Sequence, residues 1–331
     1  MLPRSRSAFA RAPGKVILTG EHFVVLGAPA LSMAVNLYST ARATLSKDTD
    51  GIEVDATVPV SLLDGAVGSK QVEPRMLLEP LRVAAESALQ RRTDKTGVRV
   101  DVQCGIPVGA GLGSSASTSV AVIAAVAMSQ GVRLDNREIF RLAYRPEKLI
   151  HGKPSGVDQA TTIYGGVIEY RRPGKVDRVT IKEEPEILVC DTGVHRSTGR
   201  LVGAVVRRSK AREKAYGEHV DEVRQITVAA RRALEKGRAL ELGLLMNRNQ
   251  ELLDEIGVST PSLDHLITVA RRAGALGAKL TGAGGGGCMI ALCADASSED
   301  RIGRRLARAG GLVYKSRLDR KGVVIRSVRL S

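Results

Sequence analysis

The strongest constraint on this chain is a glycine run set between an alternating segment and an apolar one: Ile106-Pro-Val-Gly-Ala-Gly-Leu-Gly-Ser-Ser-Ala-Ser117. Upstream, Val98, Val100, Val102 and Cys104 alternate with polar residues, the period of a half-buried strand. Downstream, Ser114 to Gln130 is rich in Ala and Val with few charges, which predicts a helix buried on most of its circumference. Gly109, Gly111 and Gly113 remove the Cβ atoms that would hold a ligand off the backbone, and Ser114 and Ser115 fall at the helix start. Free N–H groups and the positive end of the helix dipole then converge on one point, an anion cradle suited to a di- or triphosphate. No G-K-[ST] follows, so this is not a Walker loop, and the spacing is not that of a G-x-G-x-x-G dinucleotide fingerprint.

Around this core, strands and helices are interspersed, which argues for an α/β (α+β) class. Lys15-Val-Ile-Leu-Thr19 reads as an early strand; residues 74–91 and 135–150 read as helices, the second capped by Asp135 with Glu138 three residues on. Beyond the polar stretch 171–184, the apolar Ile187-Leu-Val-Cys190 begins a second unit, so the expected domains are 1–186 and 187–331. Long charged helices are expected from about Thr198 to Lys236, and shorter ones after Leu240 and over 262–275. A strand, a glycine loop, a strand, a helix and two strands complete this second α+β unit.

Hydrophobic residues at 43% and charged residues at 26% exclude disorder, collagen and coiled coil for the whole. The longest apolar run, Val120 to Met128, is far short of the ~20 residues that span a bilayer. No apolar stretch of signal-peptide length follows the N-terminal arginines, so a cytoplasmic location is expected. The four cysteines, Cys104, Cys190, Cys288 and Cys293, lack a C-x-x-C pair and read as small core residues. A net charge of +15 favours anionic partners, and composition alone does not choose among nucleotides, carboxylates, nucleic acid and membrane. With no Trp, three Phe and six Tyr, the basic stretches carry no aromatic interleaving, and a solvated basic face accounts for them.

Two further segments carry glycine. Lys279-Leu-Thr-Gly-Ala-Gly-Gly-Gly-Gly-Cys288 places four consecutive glycines in a strand connection, at an entropic cost that close backbone approach to a ligand or to the first loop would explain. Pro13-Gly-Lys-Val-Ile-Leu-Thr-Gly-Glu-His22 has a lysine entering a strand and an acid–imidazole pair on the turn that leaves it.

Together these three segments resemble the signature motifs of the GHMP small-molecule kinases. His151-Gly-Lys-Pro-Ser-Gly-Val-Asp-Gln-Ala160, followed by Tyr164-Gly-Gly166, is similar to the segment particular to the mevalonate kinases of that family. The resemblance runs from about Pro13 to Leu292. It implies an N-terminal domain with a left-handed β-α-β crossover and a ferredoxin-like C-terminal domain. It also implies ATP and Mg²⁺ as cofactors and phosphorylation of the C5 hydroxyl of mevalonate, a small-molecule substrate, with no nucleic acid or membrane partner; a homodimer is an assembly it allows.

Residue by residue, the resemblance makes Lys15 and Asp158 the catalytic pair. Pro107, Gly109, Ala110, Gly111, Leu112, Gly113, Ser114, Ser115 and Ala116 would hold the nucleotide, and Ser115 and Glu147 the Mg²⁺. Lys15, Glu21, His22, Arg196, Thr198, Gly284 and Gly285 would contact substrate, Arg196 as a planar fork for its carboxylate. Positioning and charge neutralisation are what phosphoryl transfer asks of a protein, so these residue types suit the chemistry. The family usually has Asn where this chain has Lys153 and Gln159. Phosphomevalonate, homoserine or sugar kinases of the same family are the alternative, and a basic nucleic-acid-binding protein is the reading from another class.

Overall fold

The computed structural model describes residues 6–46, 51–57, 74–89, 97–194 and 198–329. The first half of the chain comprises β1 (Arg6–Thr19), one turn of 3-10 helix (Phe23–Leu26), β2 (Ala30–Ser46), β3 (Ile52–Thr57), α1 (Pro74–Leu89), β4 (Gly97–Cys104), α2 (Ser114–Ser129), α3 (Asn136–His151), α4 (Val157–Tyr164), β5 (Val167–Arg171) and β6 (Lys175–Val179). The second half comprises β7 (Glu186–Asp191), α5 (Thr198–Ala211), α6 (Glu213–Lys236), α7 (Ala239–Glu255), α8 (Pro261–Arg272), β8 (Gly277–Leu280), β9 (Cys288–Cys293), α9 (Ala296–Arg308), β10 (Leu312–Lys315) and β11 (Val324–Arg329).

Seven strands form the first sheet, in the order β11-β1-β2-β4-β3, with the β5–β6 hairpin attached to β2. Its inner face is built from small side chains: Ala10 stands opposite Ala41 and Ala8 opposite Ala43 across β1 and β2. Small residues let α2 lie close on the sheet, and the helix buries Val120, Val122, Ile123 and Val126 against it and against α1 and α3. That is why α2 has no polar face. The reciprocal Asp135–Glu138 capping box starts α3 as expected.

A four-stranded antiparallel sheet, β10-β7-β9-β8, forms the second unit. Its chain order, with helices between β7 and β8 and between β9 and β10, is that of a ferredoxin-like β-α-β-β-α-β unit with additional helices. A shared apolar core joins the two sheets: Val16, Leu18 and Met33 of the first pack with Val189, Ile290 and Leu292 of the second. All four cysteines are buried and free. No described helix is long and apolar enough to cross a membrane.

Three features differ from the sequence reading. β2, seventeen residues long, has no clean alternation because α2 covers one part of it and β5 pairs with another, so its pattern is not periodic. The polar stretch after Tyr170 is half of a hairpin, β5 and β6 in register from Val167↔Val179 to Arg171↔Lys175. A division at residue 186 separates every strand but one: β11 returns to the first sheet and pairs with β1 from Arg6↔Arg329 to Arg11↔Val324.

Where β11 stops, the chain prepares a site. Past Arg11 the β1 edge is no longer taken by a strand. Instead Lys15 N–H donates to Leu112 O at 2.9 Å, and Ile17 N–H donates to the Thr281 hydroxyl at 2.8 Å. One strand edge thus gathers the glycine loop before α2 and the glycine loop after β8.

Candidate active site

The two loops meet backbone to backbone, and this is what their glycines permit. A Cβ on Gly111, whose φ is +83°, would lie 2.8 Å from Thr281 O, and one on Gly282 would lie 2.9 Å from Gly111 Cα. Of the four-glycine run, Gly287 faces Ala110 O, Gly284 faces Val258 O and Gly286 faces Val194 O. Close approach to the first loop and to neighbouring backbone therefore occupies these positions.

Gly113 caps α2 in the left-handed region, and the N–H groups of Ser114, Ser115 and Ala116, in the first turn after the loop of Pro107, Gly109, Ala110, Gly111 and Leu112, have no intrahelical partners. A cleft of ≈ 660 Å³, open to solvent, lies beside them, walled by Lys15, Glu21, His22, Glu147, His151, Lys153, Asp158, Gln159, Val202, Gly282 and Ala283 among others.

Lys15 crosses from β1 into this cleft with its side chain 1% exposed. Its ammonium donates to Gly111 O at 2.9 Å and pairs with Asp158 Oδ1 at 3.0 Å. Asp158 stands in the first turn of α4, where the helix dipole favours a carboxylate. The lysine is thus tied at one tip both to the backbone of the glycine loop before α2 and to the acid.

Glu147, in the last turns of α3, is buried, and its Oε1 has no hydrogen-bond partner. Burial, reinforced by the Asp158 charge, pushes its carboxyl up to about 8, while the neighbouring Ser115 hydroxyl and Lys15 ammonium pull the other way. His151, one turn on, sets Nε2 3.5 Å from Glu147 Oε2 and 3.3 Å from Ser115 Oγ, and burial lowers its pKa. A buried carboxylate oxygen without a partner, beside a hydroxyl at a phosphate cradle, fits a hard divalent cation that keeps waters and bridges phosphate oxygens. Among the described residues there is no cluster of three or more His, Cys, Asp or Glu that could hold a metal ion.

The turn after β1 forms the opposite wall. His22 is the one non-glycine with positive φ among the described residues, at 59°, a conformation held by its surroundings. Its Nε2 lies 2.8 Å from Ala283 O; a carbonyl only accepts, so Nε2 carries the proton and the unpartnered Nδ1 is an acceptor. Burial lowers its pKa to about 4, so the ring is neutral near pH 7. Glu21 is paired with Lys279 of β8, both side chains fully buried. Gly20 N–H donates to Asn249 Oδ1 of α7 at 3.0 Å, so the second unit holds this turn in place.

The structure therefore brings Lys15, Asp158, Glu147, Glu21 and His22 to one cleft; residues 107–116 do not line it, and Ser115 reaches it through His151, 3.3 Å from its hydroxyl. Gly284 and Gly285 do not line it; Gly285 N–H donates to Val258 O at 2.8 Å, and the cleft is reached by Gly282 and Ala283 instead. Arg196 lies outside the described residues, and Thr198 opens α5 with its side chain outside them as well. Lys153 and Gln159 both line the cleft, Gln159 buried with Nε2 unpartnered. Sequence reasoning assigned no part to His151 or Lys279. The signal for the first was its i,i+4 spacing from Glu147, and for the second a lysine in a strand otherwise apolar.

Residues 80–166 match the GHMP kinases N terminal domain, and residues 230–312 match the GHMP kinases C terminal. Relatives named mevalonate kinase include one from Pyrococcus horikoshii, 38% identical over 334 residues and covering 96% of this chain and 98% of its own length. Another, from Aeropyrum pernix, is 39% identical over 291 residues, with 87% and 89% covered. Among solved structures, L. major mevalonate kinase in complex with R-mevalonate superimposes with a TM-score of 0.82 at 30% identity, covering 93% of this chain and 94% of that one. Lactococcus lactis galactokinase, 21% identical with a TM-score of 0.76 and coverage of 96% and 95%, shares the fold alone.

Proposed function

The chain belongs to the mevalonate kinases of the GHMP kinase family, and from that membership we propose that it transfers the γ-phosphoryl group of ATP to the C5 hydroxyl of mevalonate, giving 5-phosphomevalonate and ADP. The observation that carries the residue assignments is the Lys15 ammonium, tied at 2.9 Å to Gly111 O of the phosphate cradle and at 3.0 Å to Asp158. A cation in that position neutralises charge on the transferring phosphoryl group and lowers the pKa of an entering hydroxyl. Asp158 accepts that hydroxyl's proton as the oxygen attacks phosphorus, and the bond to the β-phosphate oxygen breaks.

The backbone of residues 107–116 and the α2 N-terminus cradle the phosphates; Gly109, Gly111 and Gly113 supply the left-handed turns of this loop, and the missing Cβ atoms make room for Thr281 O at Gly111 and for the Lys15 stem at Gly113. Ser115 and Glu147 would hold Mg²⁺, which would supply charge neutralisation during the transfer. His22 lines the cleft with a neutral ring whose buried Nδ1 is an unpartnered acceptor. Arg196 is assigned to the substrate carboxylate on the motif resemblance alone.

The test is ADP release by purified, folded protein offered mevalonate, phosphomevalonate, homoserine and galactose in turn. Turnover on mevalonate with the others inert is expected. Brisk turnover on another alcohol with mevalonate inert would remove the substrate assignment.

A further inference from the structure

Asn249 is a polar residue in the interior of α7, and it is fully buried. Its Oδ1 accepts from Gly20 N–H at 3.0 Å, while Nδ2 has no partner among the described residues. The donor fixes which end is which, because only the amide oxygen can take a backbone N–H. An apolar side chain would spare the unsatisfied nitrogen and leave Gly20 N–H orphaned. What asparagine contributes at this position is therefore that one bond.

The bond closes a circuit. The next residue, Gln250, accepts from Leu280 N–H at 2.8 Å on the outer edge of β8. From Leu280 the chain runs through Thr281, whose hydroxyl accepts from Ile17 N–H at 2.8 Å, to Ala283, whose carbonyl accepts from His22 Nε2 at 2.8 Å. Adjacent residues of one helix thus grip both sides of the contact between the β1 turn and the glycine loop after β8. The turn needs such a grip, since Gly20 has φ +98° and His22 has φ +59°, where a residue with a side chain is strained. It is also a wall of the cleft: Glu21, His22, Val24 and Val25 line it, whereas residues 107–116 do not.

We propose that Asn249 is a positioning residue for the acceptor alcohol: its bond to Gly20 holds the wall 21–25 in the shape that the alcohol meets, and so bears on that substrate and not on ATP. The assignment rests on the kinase reading given above. Linkage makes it reciprocal. If the bond favours substrate binding by some factor, bound substrate must favour the bond by the same factor, a property that a purely structural clamp lacks. Asn247 supplies the comparison, because its Oδ1 accepts instead from Ala278 N–H of β8, at 2.9 Å.

Steady-state kinetics and thermal unfolding of wild type, Asn249→Ala and Asn247→Ala test this. Both variants should unfold at a lower temperature, each having orphaned a backbone N–H. Asn249→Ala should raise KM for mevalonate by about ten- to a hundredfold with KM for ATP within about threefold, whereas Asn247→Ala should leave both within about threefold. Amide exchange in the wild type reads the reciprocal effect: mevalonate should slow exchange at Gly20 by about tenfold more than at Ala278.

A folded Asn249→Ala whose KM for mevalonate stays within threefold of wild type, equal rises in KM for mevalonate and ATP, or equal slowing of the two amides would each overturn the role. If Asn249→Ala gives no cooperative transition, Asn249→Ser is read by the same KM split; its hydroxyl keeps the place polar and is one bond short of Gly20. Should neither variant fold, exchange alone decides, with preferential slowing at Gly20 supporting the proposal and equal slowing overturning it. A wild type inert toward mevalonate removes the kinase reading and this assignment with it. An active wild type with an unmoved KM in Asn249→Ala overturns the role of Asn249 alone.

Discussion

Replacing Gly113 by alanine separates backbone strain from site geometry. Gly113 has φ +75°, and a Cβ there would lie 2.9 Å from Lys15 Cγ and 3.3 Å from Lys15 Cε. Two costs arise. The left-handed conformation costs an alanine ~1–2 kcal/mol of stability. In addition, carbon atoms rest at ~3.5–4.0 Å, so the lysine stem must retreat by ~0.5 Å or more.

Lys15 cannot absorb that shift freely, because its stem is buried and its ammonium is tied to Gly111 O and Asp158. Misplacement by ~1 Å costs about a hundredfold in rate, so Gly113→Ala should lower kcat by about ten- to a hundredfold, equivalent to ~1.4–2.7 kcal/mol in the barrier. Gly310→Ala is the control: φ is +89° there and no atom lies within 4 Å of the added Cβ. Urea unfolding should show similar stability losses for both variants, while ADP release should fall for Gly113→Ala alone. If Gly113→Ala turns over within twofold of wild type, or Gly310→Ala slows as much, the argument that Gly113 makes room for Lys15 is wrong.

Asp158→Asn should cut kcat by about a thousandfold with KM for ATP within about threefold, since it removes the proton acceptor and leaves the phosphate cradle in place. Glu147→Gln should raise the Mg²⁺ concentration needed for half-maximal rate, and excess metal should restore part of the activity; metal-independent loss in both variants would contradict the division of roles. Lys153→Asn should keep turnover within about tenfold, with the loss in apparent substrate affinity growing as salt is lowered; a salt-insensitive thousandfold drop in kcat would place Lys153 among the catalytic residues. His22, held neutral with its pKa lowered to about 4 by burial, destabilises the fold at acid pH, because the unfolded chain takes up its proton below about 6.5 while the folded one refuses it until near 4. Unfolding free energy should therefore fall by about 2 kcal/mol more between pH 7 and 5 in wild type than in His22→Asn, and parallel pH profiles for the two would count against a buried neutral ring.

The glycine loop before α2 was legible because its ingredients are local. Three alternating glycines, two serines and an apolar helix lie within a short segment, and the helix N-terminus that they predict forms at Ser114. Helix α3 was legible for the same reason, since its capping box is a contact three residues apart. The β2 strand was not, because the faces it buries belong to α2, β4 and β5, and its own pattern averages over them. Glycine demand at residues 284–287 was visible as a cost, but its cause, the backbone of Ala110, Val194 and Val258, lies far off in the chain.

From the sequence alone came the α/β class, the glycine loop and the helix that follows it, the chemistry of the residue types and the resemblance that assigned them roles, all of which depend on local spacing or on motif order. Only the tertiary structure brought Lys15 to Asp158 across 143 positions, seated His22 against Ala283, buried Glu21 with Lys279, and returned β11 to β1 so that its end frees an edge for two glycine loops. Those contacts join residues whose sequence separation carries no periodic signal. Their energies come from desolvation and packing, which do not exist until both sheets have closed on one core.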